Sequence, residues 1–275
     1  MPEGPEIRRA ADKVAKVVED KFIEVVGFGQ PAMQRYEDSF TGQTVTEVET
    51  RGKAMLTHFD HGYTIYSHNQ LYGIWKTSKR GKLPKTKRSL RLALHTATHS
   101  ALLYSASDIS VWETEAINEH PFLRKLGPDI LAKDLGWHTI AERLHSKTFA
   151  RRSLSIVYLD QGFVAGIGNY LRSEILFDAG IHPDRKATML SDHECEKLAR
   201  STLLMGQRSY KTGGYTVAPD LLQELELARQ PYESVRFMVF NRDGLPCRIC
   251  GDTIIREERS SRRIYWCPTC QQAKK

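Results

Sequence analysis

Apolar residues recur at helical spacing near the start of the chain. Pro5 opens the segment, and Ile7, Ala10, Ala11, Val14, Val17 and Val18 fall on one face of a helix. The period then changes. Phe22–Phe28, Thr44–Thr50, Ala54–Phe59, Tyr63–Ser67, Leu90–Leu94 and Ala101–Ser105 are short runs, several alternating apolar and polar residues, with turns between them. This pattern predicts an antiparallel sandwich or barrel behind a leading helix. Glu119–Leu131, with two prolines and Gly127, reads as a linker. Helical spacing returns in Thr139–Leu144, Leu154–Gln161, Tyr170–Ala179, His193–Met205 and Asp220–Leu227. No internal repeat or low-complexity tract interrupts the order. The expected fold is therefore α+β and multidomain: a β-sandwich over residues 1–120, a hinge over 121–135, a helical domain over 136–232 and a terminal unit over 233–275.

Cysteine spacing defines the terminal unit. Cys247 and Cys250 form one C-x-x-C, and after a gap of 16 residues Cys267 and Cys270 form another. That is a four-thiolate zinc pattern, with the intervening stretch able to run out through Thr253–Ile255 and back through Arg262–Trp266 as a hairpin. The start, MPEGPEIRRA, is charged from its third residue and has no apolar signal stretch, so a secreted disulfide framework is not expected. All four positions are thiolates and no water position is implied, which predicts one structural Zn2+. Cys195 is expected to be an ordinary packed or helix-surface thiol.

Hydrophobic residues make up 40% and charged residues 27% of the 275, a soluble globular balance with no apolar run long enough for a membrane span. A cytoplasmic protein is expected. Lys and Arg exceed Asp and Glu by 40 to 33, a net +7 that favours a polyanionic partner. Two regions concentrate it. Lys76–Arg91 holds eight basic residues and no acid, and Arg236–Lys275 holds nine basic against four acidic. The first, broken by Gly81 and Pro84, is either a solvated loop or a binding surface. The second surrounds the cysteines.

Two further segments carry candidate chemistry. In Leu159–Ile181, helical patterns flank Gly162–Gly168, with Asn169 at an expected N-cap. Such a turn either cradles a phosphate on backbone amides and the helix dipole or is a close-packed helical hairpin. At the front, Pro2 is a small residue that permits removal of Met1, which would leave a secondary amine at the N-terminus. An α-amino group has a pKa of roughly 7.7–8.0 against about 10.4 for lysine, so it is far more readily unprotonated and able to attack an aldehyde-like carbon. Glu3 beside it can donate or relay a proton. Read locally, MPEGPE is equally a solvated lead-in to a helix.

The ordered set MPEGPEIRRAADKV, TRGKAMLTHF, YSHNQLYGIW, GIGNYLRSEIL and CRIC…SSRRIYWCPTC resembles the formamidopyrimidine-DNA glycosylase/endonuclease VIII superfamily over essentially the whole chain. HNQLYG and GNYLRSEIL are closer to its endonuclease VIII branch. The resemblance implies an N-terminal β-sandwich, a helix–two-turn–helix domain and a zinc finger. It implies a bacterial, monomeric, nucleoid-associated enzyme of base excision repair, acting on double-stranded DNA that contains oxidised bases or abasic sites. By resemblance, Pro2 is the nucleophile that forms a Schiff base with the sugar, and Glu3 protonates the ring oxygen. Lys53 assists proton transfer, and Arg262 holds phosphate and promotes δ-elimination, with Arg263 its neighbour. Gln70, Leu71 and Tyr72 match the loop that fills the space left by the extruded base, and Asn169 matches a phosphate contact. A further basic contact falls on Lys125, with Arg124 beside it. Oxidised pyrimidines are the implied substrates; oxidised purines by the same chemistry, or a non-catalytic damaged-DNA binder, are the alternatives.

Overall fold

A computed structural model of the chain describes residues 2–227, 229–259 and 261–273. Met1 and the last lysines of the basic tail, Lys274 and Lys275, lie outside the described residues. The chain forms two compact units, Met1–Lys125 and Leu126–Lys275.

In the first unit, α1 (Gly4–Val18) begins with Glu3 at its N-cap, Pro5 in its first turn and a capping box between Glu3 and Glu6. Its Ile7, Ala11, Val14 and Val18 are buried, and each of the larger ones contributes about 1.5–3 kcal/mol by leaving water. Then come β1 (Lys21–Phe22), β2 (Val25–Phe28), the short helices α2 (Pro31–Gln34) and α3 (Glu37–Phe40), and β3 (Thr44–Arg51). β4 (Ala54–Phe59), β5 (Tyr63–His68), β6 (Ile74–Lys79), β7 (Leu90–His95), β8 (His99–Tyr104) and β9 (Asp108–Glu113) complete the unit. Two antiparallel sheets result, one ordered β1-β3-β4-β5-β9 and the other β2-β7-β8-β6. Val26, Phe28, Val45, Val48, Met55, Ile65, Leu92, Leu94 and Leu103 share one core with the apolar face of α1.

The predicted sandwich is therefore present, with two corrections. Phe22–Phe28 is not one strand. Ile23 N–H bonds the Gln43 carbonyl and Glu24 N–H bonds the His95 carbonyl, so the chain changes sheet between adjacent residues. The basic run Lys76–Arg91 is not one loop either, because Lys76 and Lys79 lie on β6, at the edge of its sheet. Lysines on an edge strand discourage pairing with another chain.

The second unit contains α4 (Trp137–His145), α5 (Leu154–Val157), α6 (Asn169–Ala179), α7 (Asp192–Lys211), α8 (Pro219–Leu227) and α9 (Tyr232–Val235), then the hairpin β10 (Ile255–Arg259) and β11 (Arg262–Trp266). α4 and α6 pack on α7, and α6 also packs on β11. Cys195 is buried on α7, as expected of a packed thiol. α5 is shorter than the predicted Leu154–Gln161. Asp160 Oδ1 takes Gly162 N–H at 2.9 Å and Gln161 Nε2 donates to the Ile167 carbonyl at 2.8 Å, so these side chains organise a loop where helix would continue. Among the described residues no helix is long and apolar enough to cross a membrane.

α6 is buried almost all round, yet it carries Arg172 at 0% and Glu174 at 1% exposure. Glu174 accepts backbone N–H groups from Met238, Val239 and Phe240 at 2.8–2.9 Å and the Thr216 hydroxyl. Burial pushes this carboxyl above the usual range and the four donors pull it back. Glu174→Ala would leave those donors buried and unsatisfied, at an expected cost of about 3–5 kcal/mol in urea unfolding, with Glu174→Gln costing less because one acceptor oxygen remains. An alanine variant as stable as the parent would refute this role.

Candidate functional site

Glu3 is 3% exposed at the amino end of α1, and its N–H donates to Glu6 Oε2 at 3.1 Å. Glu6 is in turn held by Arg9 at 2.9 Å. A carboxylate here faces the positive end of the helix dipole, and half-buried Pro2 precedes it directly. Lys53 occupies the connection between β3 and β4, where Arg51 pairs with Ala54 across Gly52 and Lys53. Gly52 lies at φ 61°, the left-handed region that a tight hairpin requires at its first central position. The next residue, Ala54, pairs with His68 of β5, and His68 pairs with Asp108 of β9. One end of the five-stranded sheet thus gathers the Lys53 turn, the exit of β5 and the entry of β9.

Gln70, Leu71 and Tyr72 follow β5 in a tight turn that Gly73 closes by donating its N–H to the Asn69 carbonyl at 2.7 Å. A Cβ at position 73 would stand 2.6 Å from the backbone of Asn69, so only glycine fits. Leu71 is 56% and Tyr72 69% exposed. Neither packs in a core, the reading that apolar content alone would favour. The structure also adds residues that the sequence did not single out: His68 and Ser107, which hydrogen-bond Gln70, and Arg88, which donates to the Tyr72 carbonyl. Lys125 and Arg124 stand apart on a short 3-10 turn, both exposed.

In the second unit Asn169 is the first residue of α6, and Gly168 takes the N-cap position assigned to it from sequence. The Asn169 Oδ1 accepts the Arg172 guanidinium at 3.0 Å, so its side chain is oriented by a buried cation and does not cap the helix. Arg172 also donates to the Ser155 carbonyl at 2.9 Å and the Arg263 carbonyl at 2.8 Å. It therefore ties Asn169 to the strand that bears Arg262. The sequence signal for this role was slight: Arg172 is the one basic residue of Asn169–Ala179 and stands among Leu171, Ile175 and Leu176. The glycine turn behaves as packed chain at its centre: the amides of Gly162, Phe163, Ala165 and Gly166 are taken by Asp160, Pro128 and Gln161. Arg262 and Arg263 are exposed on β11, and Arg262 pairs with Arg259. Arg259 grips Asp184 with two bonds of 3.0 Å, which holds the Asp184 carboxyl below its usual range.

Cys247, Cys250, Cys267 and Cys270 place their sulfurs within 4.8 Å of one another. The Cys247–Cys270 and Cys250–Cys267 separations are 3.8 and 3.4 Å. A tetrahedral ion with Zn–S bonds of about 2.3 Å sets its sulfurs roughly 3.8 Å apart, so the four thiols fit one structural Zn2+. A second group, Glu47, Glu49 and His58, also lies within that distance, but Glu49 is engaged by Arg51.

Residues 1–107 match the formamidopyrimidine-DNA glycosylase N-terminal domain, 126–219 the formamidopyrimidine-DNA glycosylase H2TH domain, and 244–273 the zinc finger found in FPG and IleRS. The chain is 45% identical to Endonuclease 8 of Escherichia coli O17:K52:H18 over 271 residues, which is 98% of this chain and 100% of that protein. It is equally similar, with the same coverage, to Endonuclease 8 of Pectobacterium atrosepticum. Among solved structures, wild-type Lactococcus lactis Fpg (MutM) in complex with an oxidised-pyrimidine-containing DNA superposes with a TM-score of 0.81 at 22% identity, covering 99% of this chain and 100% of that chain. The same organism's Fpg with abasic-site DNA also gives 0.81 at 22% identity, over 98% of this chain and 100% of that one. The chain belongs to the formamidopyrimidine-DNA glycosylase/endonuclease VIII family of bifunctional DNA glycosylase/AP lyases of base excision repair, with one structural zinc.

Proposed function

We propose that the protein excises oxidised pyrimidines from double-stranded DNA and cuts the strand at the resulting abasic site by β,δ-elimination. The observation that carries this reading is the pairing of Pro2 with a buried carboxylate, Glu3, at the amino end of α1. A surface lead-in to a helix has no need of a buried acid. With Met1 removed, the Pro2 nitrogen is a secondary amine that attacks C1′ of the damaged nucleotide. The bond from C1′ to the base breaks, and its electron pair leaves with the base. Glu3 takes up the proton that the Pro2 nitrogen loses and gives it to O4′ as the ring opens, leaving an iminium on Pro2. Lys53 assists the proton transfers of base loss and of β-elimination, in which a C2′ proton is lost and the 3′ phosphate departs. δ-Elimination then releases the 5′ phosphate, with Arg262 balancing its charge.

The duplex must surrender its damaged base, at a cost of a few kcal/mol. Exposed Leu71 and Tyr72 suit the role of a wedge in the vacated stack, while Asn169, Lys125 and Arg262 are assigned to phosphates, which position the strand without identifying the lesion. The endonuclease VIII character of the Gln70–Leu71–Tyr72 turn and the 45% identity to Endonuclease 8 support oxidised pyrimidines as substrates.

Borohydride added to the protein with a duplex bearing one thymine glycol should trap an adduct that mass spectrometry maps to Pro2. Trapping only on an 8-oxoguanine duplex would keep the chemistry and overturn the substrate; no trapping on either would overturn both. Arg262→Ala should slow δ-elimination on the order of 100-fold while β-elimination persists, so that denaturing gels show unsaturated-aldehyde ends in place of 3′ phosphates. An unchanged product ratio would remove Arg262 from the mechanism.

A further inference from the structure

The residue that heads the exposed turn is held from two sides. Gln70 lies at φ 50°, a left-handed conformation that an L-residue other than glycine rarely adopts. Its N–H donates to Nδ1 of His68 at 3.0 Å, and its Oε1 accepts the Ser107 hydroxyl at 2.8 Å. His68 is the last residue of β5 and Ser107 immediately precedes β9, so both holds come from the rigid sheet end. The His68 ring stands edge-on to Phe122, with centroids 5.3 Å apart, which fixes its orientation. Remove the acceptor at Nδ1, and the backbone at Gln70 loses the contact that offsets its strain.

We infer that His68 is a positioning residue for base excision: with its proton on Nε2, it accepts the Gln70 amide and holds the Gln70–Leu71–Tyr72 turn in the shape that enters the base stack. This rests on the proposed wedge role of that turn. The assignment follows from donor chemistry, since an imidazole accepts at Nδ1 only when that nitrogen carries no proton. Protonated His68 would set N–H against N–H and release the turn. The charged groups facing the ring are Asp108 from β9 and Lys53 from the β3–β4 turn; the facing ring of Phe122 is apolar. Burial, aided by Lys53 and opposed by Asp108, holds the imidazole below its ordinary 6.5. The hold is therefore engaged at neutral pH and is lost as pH falls through the lowered value.

Two substrates separate positioning from chemistry. A thymine glycol duplex requires the base to be extruded, whereas a duplex with a ready-made abasic site requires only the lyase steps. His68→Leu should lower single-turnover excision of thymine glycol roughly tenfold and leave cleavage of the abasic duplex within about twofold. His68→Asn, which offers an acceptor that does not titrate, should recover most of that excision and flatten the acid limb of its profile below pH 6.5. Equal loss on both substrates would overturn the inference in favour of an effect on Lys53 or on the fold. So would a His68→Asn protein no better than His68→Leu, or one that keeps the acid limb. A Leu71→Ala/Tyr72→Ala double variant distinguishes the underlying reading. If it excises thymine glycol normally, the wedge role and the inference fall together; if it is impaired while His68→Leu is not, only the inference falls.

Discussion

Removing a charge from water costs several kcal/mol unless hydrogen bonds replace the lost solvent, and α6 carries two such charges in its interior. Arg172 finds its replacement in the carbonyls of Ser155 and Arg263 and the amide oxygen of Asn169, and Glu174 finds its own in the amides of Met238–Phe240 and the Thr216 hydroxyl. None of these partners is local in sequence except Asn169. α6 therefore cannot be buried until α5, the segments after α7 and α9, and the finger hairpin have arrived. That requirement joins the hairpin to the helical unit by polar satisfaction as much as by apolar contact. It also explains how a short β-hairpin far along the chain presents Arg262 in a fixed relation to Asn169.

In the first unit the equivalent constraint is sheet register. Pairing Ala54 with His68 and His68 with Asp108 leaves no freedom in where the β3–β4 turn, the exit of β5 and the entry of β9 fall, because a one-residue slip would turn every inward side chain outward. The functional turns are thus short, and each hangs from a strand that the core holds. The two glycines that matter serve the same end: Gly52 lets the chain reverse beside Lys53, and Gly73 lets it close against Asn69.

Much of this was legible in the sequence, for reasons that differ by residue. Short runs bounded by turns, several of them alternating, revealed β3, β4, β5, β7 and β8, and the cysteine spacing revealed the zinc centre, since both are local patterns. β6 escaped because its lysines sit on an edge, where charge is a protective device and not a sign of loop. The division of Phe22–Phe28 escaped because a change of sheet leaves no mark on hydrophobicity. α5 was overestimated because Asp160 and Gln161 bond the loop backbone, a competition that propensity does not register. The roles proposed for Pro2, Glu3, Lys53 and Arg262 rest on the ordered resemblance, since singly each passes for an ordinary surface or helix-end residue. His68 was invisible, because its meaning depends on an amide two residues away adopting a left-handed turn.

The finger has a consequence for the conditions under which such an enzyme works. Three of its four cysteines are buried or partly buried, but Cys250 is exposed. Oxidants that damage DNA bases also attack thiolates, and accessible ones first. Sulfenic acid at Cys250 would remove one of the four zinc ligands, and with the ion would go the order of the hairpin that carries Arg262. The solvent access of a single sulfur thus leaves the order of the hairpin that carries Arg262 open to the same class of oxidant.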